Sequence, residues 1–384
     1  MKRILALDGG GIRGVFTLEV LVKIEEVLRQ YYAQQDPRKA KTFVLRDHFD
    51  FLAGTSTGAI IAACLCWGMP AKKVQELYLR EGKKMFAEWR KIKDKLIAKY
   101  DPGPISNFLQ GLFKEKDGSQ ATLASSQLRN GEKKNLLMVV VRNHTTGSAW
   151  PLTNNPLAMF NDPELPDCNT QIPLWQLVRA STAAPYFFPA ETITLGEKKF
   201  KFVDGSITPY SNPALIAALT AILPGYCVNW APGPENIRVV SVGTIAFSSE
   251  VPLGDPSLRL GVLLKQIPNA ILETLTAMLQ TTGWQQDYLC RCLGECIFAE
   301  NLEGEMLDIE VGNLLAAGLR SILPSGRSWF SYVRYNRTFR KEEMLEILKD
   351  NPRLKEIDGI DAIPRLSDIG QDYAEKIVKI EHLV

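Results

Sequence analysis

One turn constrains this chain more than any other feature. Phe49-Asp50-Phe51-Leu52-Ala53 is a short apolar segment, Gly54-Thr55-Ser56-Thr57-Gly58 follows, and Ala59 to Trp67 is an apolar, helix-like run. Gly-x-Ser-x-Gly turns up by chance in long chains, but here it joins a strand-like segment to a helix-like one. That context fits a nucleophile elbow, a sharp turn that lifts one serine hydroxyl clear of the backbone. Side chains at Gly54 or Gly58 would clash in so tight a turn. Ser56 would open a helix, where unpaired N–H groups and the helix dipole favour negative charge. The plain alternative is a glycine-rich structural turn.

A second glycine loop lies near the start. Arg3 to Leu7 reads as a buried strand, Asp8-Gly9-Gly10-Gly11-Ile12-Arg13-Gly14 follows, and Val15 to Gln30 is strongly helical. Gly9-x-Gly11-x-x-Gly14 formally matches the dinucleotide fingerprint, which wants a second strand ending in Asp or Glu about 20 residues on. Here the helix runs instead into the polar break Tyr31 to Pro37. The competing reading is an oxyanion hole, because successive glycines expose backbone N–H groups that can face a carbonyl oxygen as it gains charge. Arg13 would add a positive charge or anchor the loop to a carboxylate. A plain turn accounts poorly for three glycines in a row.

The rest of the chain sets the fold class. Leu136 to Arg142 and Ile237 to Val242 read as buried strands, and Lys198 to Val203 alternates like a strand that ends in Asp204-Gly205-Ser206. Leu174 to Ala180 is a short helix that must end before Pro185. Asn212-Pro213 opens an apolar helix to Leu223. Asn143 to Asp167 reads as an irregular excursion. Strands alternating with helices to residue 245 predict an α/β layered fold with a largely parallel sheet. Beyond residue 255 the pattern is mostly helical, with Tyr332 to Tyr335 as a late strand and Leu366 to Val384 as a terminal amphipathic helix. The expected division is a catalytic α/β domain over residues 1–250 and a mostly helical extension over 251–384, packed on it.

Bulk properties remove several function classes. A formal net charge of +2 gives no reason to expect a nucleic-acid partner. Met1-Lys2-Arg3 is basic, but Asp8 and the glycines interrupt any leader-like apolar core. No apolar run reaches the roughly 20 residues that cross a bilayer. The seven cysteines have no repeating frame, and Cys290, Cys292 and Cys296 lack a fourth zinc ligand, so reduced thiols in a cytoplasmic protein are expected. Ala71 to Tyr100 carries a lysine excess that includes Lys83, Lys84, Lys91 and Lys95. Its Met85, Trp89, Ile92 and Leu96 share one helix face. Such a helix either packs its apolar stripe on the core or lies on an anionic membrane surface. The first reading is favoured.

A serine nucleophile needs a base. The chain has three histidines. His48 precedes the elbow strand and belongs at the sheet's other end, His382 is near the last residue, and only His144, in a polar loop after a strand, is a serious candidate. Asp204 is better placed, since it caps a strand as Ser56 does, and strand ends in an open parallel sheet converge on one crevice.

Three blocks together resemble the patatin-like phospholipase family. The loop Asp8 to Gly14 is similar to its glycine-rich oxyanion loop, Gly54 to Gly58 to its nucleophile motif, and Asp204-Gly205-Ser206 to its Asp-Gly-Gly or Asp-Gly-Ala motif, with Asn212-Pro213-Ala214 in the same style. Ala180 to Phe188 resembles a further block. The likeness runs over residues 3–245 in the family's order, with Ser206 as a departure. It implies a three-layer sandwich and a Ser56-Asp204 dyad that hydrolyses phospholipid or other acyl-lipid esters. Gly9, Gly10, Gly11 and Arg13 would form the oxyanion hole, supported by Gly14, Gly54, Gly58 and Gly205. The resemblance implies no metal or cofactor; peripheral membrane contact is a separate expectation that rests on the basic helix. Some bacterial members are switched on by cyclic nucleotides, so a small-molecule activator is a further expectation. An acyltransferase or thioesterase using the same serine, and a silent lipid-binding protein, remain the alternatives.

Overall fold

The computed structural model describes residues 1–86, 98–128, 135–247, 277–278, 280–300, 328–339 and 341–384. Among the described residues, nine strands form one mixed sheet. Its parallel part runs in the order β3 (Leu136–Asn143), β2 (Phe51–Thr55), β1 (Lys2–Leu7), β7 (Ile237–Val242), β10 (Ser331–Tyr335) and β9 (Glu295–Ala299). Three antiparallel strands complete it: β4 (Ser148–Thr153), β6 (Lys198–Asp204) and β5 (Glu191–Leu195).

The central strands are mostly apolar because both of their faces are covered. Ile4 and Ala6 of β1, Phe51 and Ala53 of β2, and Ile237 and Val239 of β7 face one layer, which includes Ala214 to Ala218 of α8 (Ala214–Ile222). Leu5, Leu7, Leu52, Val240 and Val242 face the other. That layer holds α1 (Gly14–Gln35), α4 (Thr57–Cys66), α5 (Ala71–Met85), α6 (Gly103–Leu112) and α7 (Leu174–Ser181). This is the expected α/β sandwich with helices on both faces.

The chain beyond residue 250 is helical in part, at residues 280–293 and in α9 (Lys341–Asp350) and α10 (Ile363–Ile377). It also threads back into the sheet: β10 pairs with β7, and β9 pairs with β10. The last helix starts three residues before the expected Leu366, its Pro364 filling a first-turn position whose N–H is unpaired in any case. It stops at Ile377 rather than running to Val384. β4 is a strand inside the stretch read as irregular. It occupies β3's outer edge, which is where a strand tolerates a residue such as Pro151.

α5 packs as the favoured reading required. Val74, Tyr78 and Met85 enter the core, while Lys83 and Lys84 stay exposed. The rest of the basic stretch, with Trp89, Lys91, Ile92, Lys95 and Leu96, lies outside the described residues. No helix among the described residues is long and apolar enough to cross a membrane.

Candidate active site

β3 brings Ser56 and Asp204 together. Over Leu136 to Val140 one edge of β3 pairs with β2, ending at Val140 with Thr55. Over Val141 to Asn143 the same edge is free for β6, because β4 fills the opposite edge, and Val141 pairs with Asp204. Two strands therefore meet end to end along one neighbour. This corrects the expectation of parallel strand ends sharing a crevice: β6 runs antiparallel and reaches the elbow from the other direction. Ser56 Oγ donates to Asp204 Oδ2 at 2.7 Å, and Ser206 N–H donates to Asp204 Oδ1 at 2.7 Å.

The elbow is strained and braced. Ser56 adopts φ 54°, ψ −123°, a backbone state that costs a non-glycine residue about 1–3 kcal/mol. Ser56 N–H donates to Ser181 Oγ at 2.9 Å, and Ser181 Oγ donates to the Val140 carbonyl at 2.7 Å. A Cβ at Gly54 would overlap the Gly58 carbonyl, and one at Gly58 would overlap that of Leu7. A Cβ at Gly205 would strike the Val140 carbonyl, so Gly205 lets β6 end against β3.

Ser56 and Asp204 are both buried. Burial pushes the Asp204 carboxyl up to about 6, although the bonds from Ser56 and Ser206 favour its charged form. Arg179, fully buried nearby, is pushed down to about 10 by desolvation and stays charged at neutral pH. Its guanidinium lies over the Phe188 ring, 5.1 Å from the centroid.

The glycine loop joins β1 to α1. Gly9 N–H donates to the Ser211 carbonyl (3.0 Å), Ile12 N–H to Ile357 (2.8 Å), and Arg13 N–H to Gly10 (3.3 Å). Gly14 N–H is taken by the carbonyls of Gly11 and Ile12. Gly10 and Gly11 are left with N–H groups that have no acceptor among the described residues, and both glycines line the cavity in front of Ser56. The expected hole thus narrows, since the Gly9 N–H is already engaged. Arg13 Nε reaches the Gly10 carbonyl at 3.4 Å, which makes it a prop for the loop. Tyr78 OH donates to the Gly11 carbonyl at 2.7 Å. Gly11 has φ +59°, and a Cβ there would overlap the Ile357 carbonyl. A Cβ at Gly10 would run into Thr244 behind the loop, not into the cavity.

Asp8 roots this loop in the interior. Arg334 of β10 holds it with two parallel bonds, of 2.9 and 2.5 Å, and donates to Ser241 Oγ at 2.7 Å. Burial pushes the Asp8 carboxyl up, and the facing Arg334 guanidinium works against that rise, while Asp8 in turn favours the charged form of Arg334. Removing one partner of such a pair typically costs about 3–5 kcal/mol.

The cavity in front of Ser56 is narrow, about 60 Å³. Ile60, Met85, Phe86, Ile105, Phe187, Phe188 and Ile357 give it apolar walls around the polar base of Gly10, Gly11, Ser56, Asp204 and Ser206. None of the three histidines lines it. His48 bonds Tyr32 OH (2.9 Å) and the Leu383 carbonyl (3.2 Å). His144 is exposed beyond β3, and His382 stacks on Phe298 and bonds Tyr335 OH at 3.0 Å.

Comparison with known proteins shows the family. Residues 5–218 match the profile described as patatin-like phospholipase. The chain belongs to the patatin-like phospholipase family. It is similar to a cGAMP-activated phospholipase of Escherichia coli, with 25% identity over 249 residues, 63% of this chain and 62% of that protein. The calcium-independent phospholipase A2-gamma of Rattus norvegicus is 30% identical over 251 residues, 65% of this chain and 29% of that protein. Patatin-17 of Solanum cardiophyllum is 27% identical over 233 residues, 58% of this chain and 53% of its own length. The chain therefore spans less than two thirds of each of these relatives.

Several residues of this patatin-like site had escaped the sequence reading. Ser181 lies in a block whose resemblance was seen, but its two hydrogen bonds, from Ser56 N–H and to the Val140 carbonyl, were not legible there. Arg179 gave no sign of being buried. Tyr78 and Thr244 belong to segments far from either glycine loop, and ordinary residues carry no motif. Of the patatin-like blocks, Asp204-Gly205-Ser206 departs at Ser206, whose Oγ is buried at the cavity without a hydrogen-bond partner.

Proposed function

We propose that this protein is a lipid acyl hydrolase of the phospholipase A type, with Ser56 as nucleophile and Asp204 as base. The observation that carries the reading is the 2.7 Å bond from Ser56 Oγ to Asp204 Oδ2 at the polar end of an apolar chamber. Ser56 Oγ attacks the ester carbonyl while its proton passes to Asp204. The oxyanion gathers at the Gly10 and Gly11 N–H groups. The C–O bond to the lysolipid then breaks, and Asp204 returns the proton to that alcohol. Water attacks the acyl-serine as Asp204 accepts its proton, the bond to Ser56 Oγ breaks, Asp204 returns that proton to Oγ, and a fatty acid leaves. No metal enters these steps. The names of the relatives, phospholipases in both bacterium and rat, support the same substrate class.

The test is incubation with a mixture of phospholipids and identification of the products by mass. Free fatty acid with lysolipid is the expected result. Acyl groups moved onto added alcohol or thiol would make the protein a transferase, and unchanged lipid would leave a silent binding protein.

The reaction should lose rate in acid. Asp204 must be ionised to accept the proton, and its pKa stands at about 6. The kcat/KM for a soluble short-chain ester should be level above that pH and fall about tenfold per unit below it. A profile flat down to pH 4 would remove Asp204 as the base.

Peripheral contact with an anionic membrane is proposed for the exposed end of α5. Replacing Lys83 and Lys84 with Gln should weaken binding to anionic vesicles while sparing hydrolysis of a soluble ester. Unchanged vesicle binding would confine α5 to packing.

A further inference from the structure

We propose that Thr244 is a positioning residue that aims the Gly10 N–H at the reacting carbonyl oxygen. The proposal rests on the acyl-hydrolase reading above and adds a residue outside the matched stretch 5–218.

The argument starts from the softness of the loop. Gly9, Gly10 and Gly11 have no Cβ to restrict them, so three glycines in a row hold no direction by themselves. A donor that stabilises a transition state must be directed before the charge appears. Something outside the loop has to supply that direction.

The peptide plane supplies the lever. A trans peptide points its C=O and the following N–H in opposite directions, and every described peptide here is trans. Holding the Gly9 carbonyl therefore sets the Gly10 N–H, and holding the Gly10 carbonyl sets the Gly11 N–H. Thr244 Oγ1 donates to the Gly9 carbonyl at 3.1 Å. Arg13 Nε donates to the Gly10 carbonyl at 3.4 Å. The two free N–H groups each have a tie on the far side of the same peptide.

Thr244 is itself built to be rigid. β7 pairs with β1 in a register that sets Val242 beside Leu7, so the residues after each strand emerge side by side. Gly243 N–H donates to the Tyr335 carbonyl (2.8 Å), and the Gly243 carbonyl accepts from Thr17 Oγ1 (2.7 Å). On the other side, Ile245 N–H donates to Asn336 Oδ1 at 3.1 Å. Ile245 stands at φ 74°, an outlier for a β-branched residue. Strain of this kind persists where surrounding contacts over-determine it, and it clusters at functional sites. Here it lies one residue from the hydroxyl that holds Gly9. Thr244 is also the atom group that a Cβ at Gly10 would strike, so the contact is close along its whole length.

Thr244→Val keeps the shape and removes the donor, and Thr244→Ser keeps the donor and removes a methyl. Each would be assayed for kcat and KM on a soluble ester, for affinity toward a trifluoromethyl ketone that adds to the serine as an oxyanion, and for melting temperature. Thr244→Val should lose roughly tenfold or more in kcat, with KM within about twofold, and lose affinity for the ketone in proportion. Thr244→Ser should recover most of both. Equal kcat values for the Val variant and an active parent would overturn the proposal alone. So would a Ser variant as slow as the Val variant, or a loss confined to KM or to melting temperature, since those mark packing. A parent that hydrolyses no acyl ester would overturn the functional reading and this proposal with it.

Discussion

Asp204→Asn should abolish ester hydrolysis and at the same time raise the melting temperature at neutral pH. Loss of a general base costs about 10²–10⁴-fold, and in the proposed mechanism this base acts in both half-reactions. The amide keeps the carboxylate's shape and its bond from Ser206 N–H, but it cannot take the Ser56 proton. The stability effect has a separate cause. Folding raises the carboxyl from 3.8 to about 6 because burial disfavours its charge. The folded state therefore holds the proton more tightly than the unfolded one. By linkage, the stability that Asp204 contributes is complete below about pH 4 and is lost as pH rises toward 6. Above pH 6 the ionised group costs on the order of 3 kcal/mol. Asparagine carries no such penalty, so the variant should melt above the parent at pH 8, and the gap should close at pH 4. His144→Ala and His382→Ala, run beside it, should both stay active. A folded, dead His144→Ala protein next to an active Asp204→Asn one would overturn the dyad.

Ser56→Ala should fold at the parent's melting temperature and lose on the order of 10⁴-fold or more of its turnover, because it removes the hydroxyl that bonds the Asp204 carboxylate at the cavity's polar end. A fluorophosphonate should label the parent at Ser56 alone and the variant nowhere. The elbow's strain gives a second reading of the same position. Alanine keeps the Cβ and hence the strained φ of 54°, whereas Ser56→Gly relieves it. The glycine variant should be equally dead and more stable by roughly 1 kcal/mol. Labelling of another serine in an active sample would remove Ser56 from the mechanism.

How much of this was legible depends on how local each cause is. Ser56 and Asp204 stood out because each sits in a turn that only glycine neighbours permit, so sequence and geometry coincide within five residues. Strand existence was legible where β-branched runs were long, as in β3 and β7. Strand direction was not, because the alternation in Lys198 to Val203 is the same for a parallel and an antiparallel strand. The closeness of Ser56 and Asp204 was thus expected for a reason that the structure replaces: two strands abut on β3 where parallel ends were anticipated. β4 was hidden because Pro151 argues against a strand unless its edge position is known. Thr244, Ser181 and Tyr78 were out of reach altogether, since each matters through one bond to a residue distant in the chain. Gly10 was read as exposing its N–H to a carbonyl oxygen, and what fills the space of its missing side chain, Thr244, could not be seen in the sequence.

The pair between Asp8 and Arg334 joins residues 326 positions apart, and this separation has a temporal meaning. A chain made from its amino end presents the glycine loop first, the elbow soon after, and Asp204 midway. The cation that neutralises Asp8, and the Ile357 carbonyl that pins Ile12, come much later. During that interval both members of the dyad exist while the root of the loop is an unmatched interior charge. Fluorophosphonate labelling of a chain stopped at residue 330 measures the gap: little labelling is expected, and full labelling would show that the loop sets without its arginine. Reactivity would then arrive only after Arg334 has been made, and the site would stay blunt until that point.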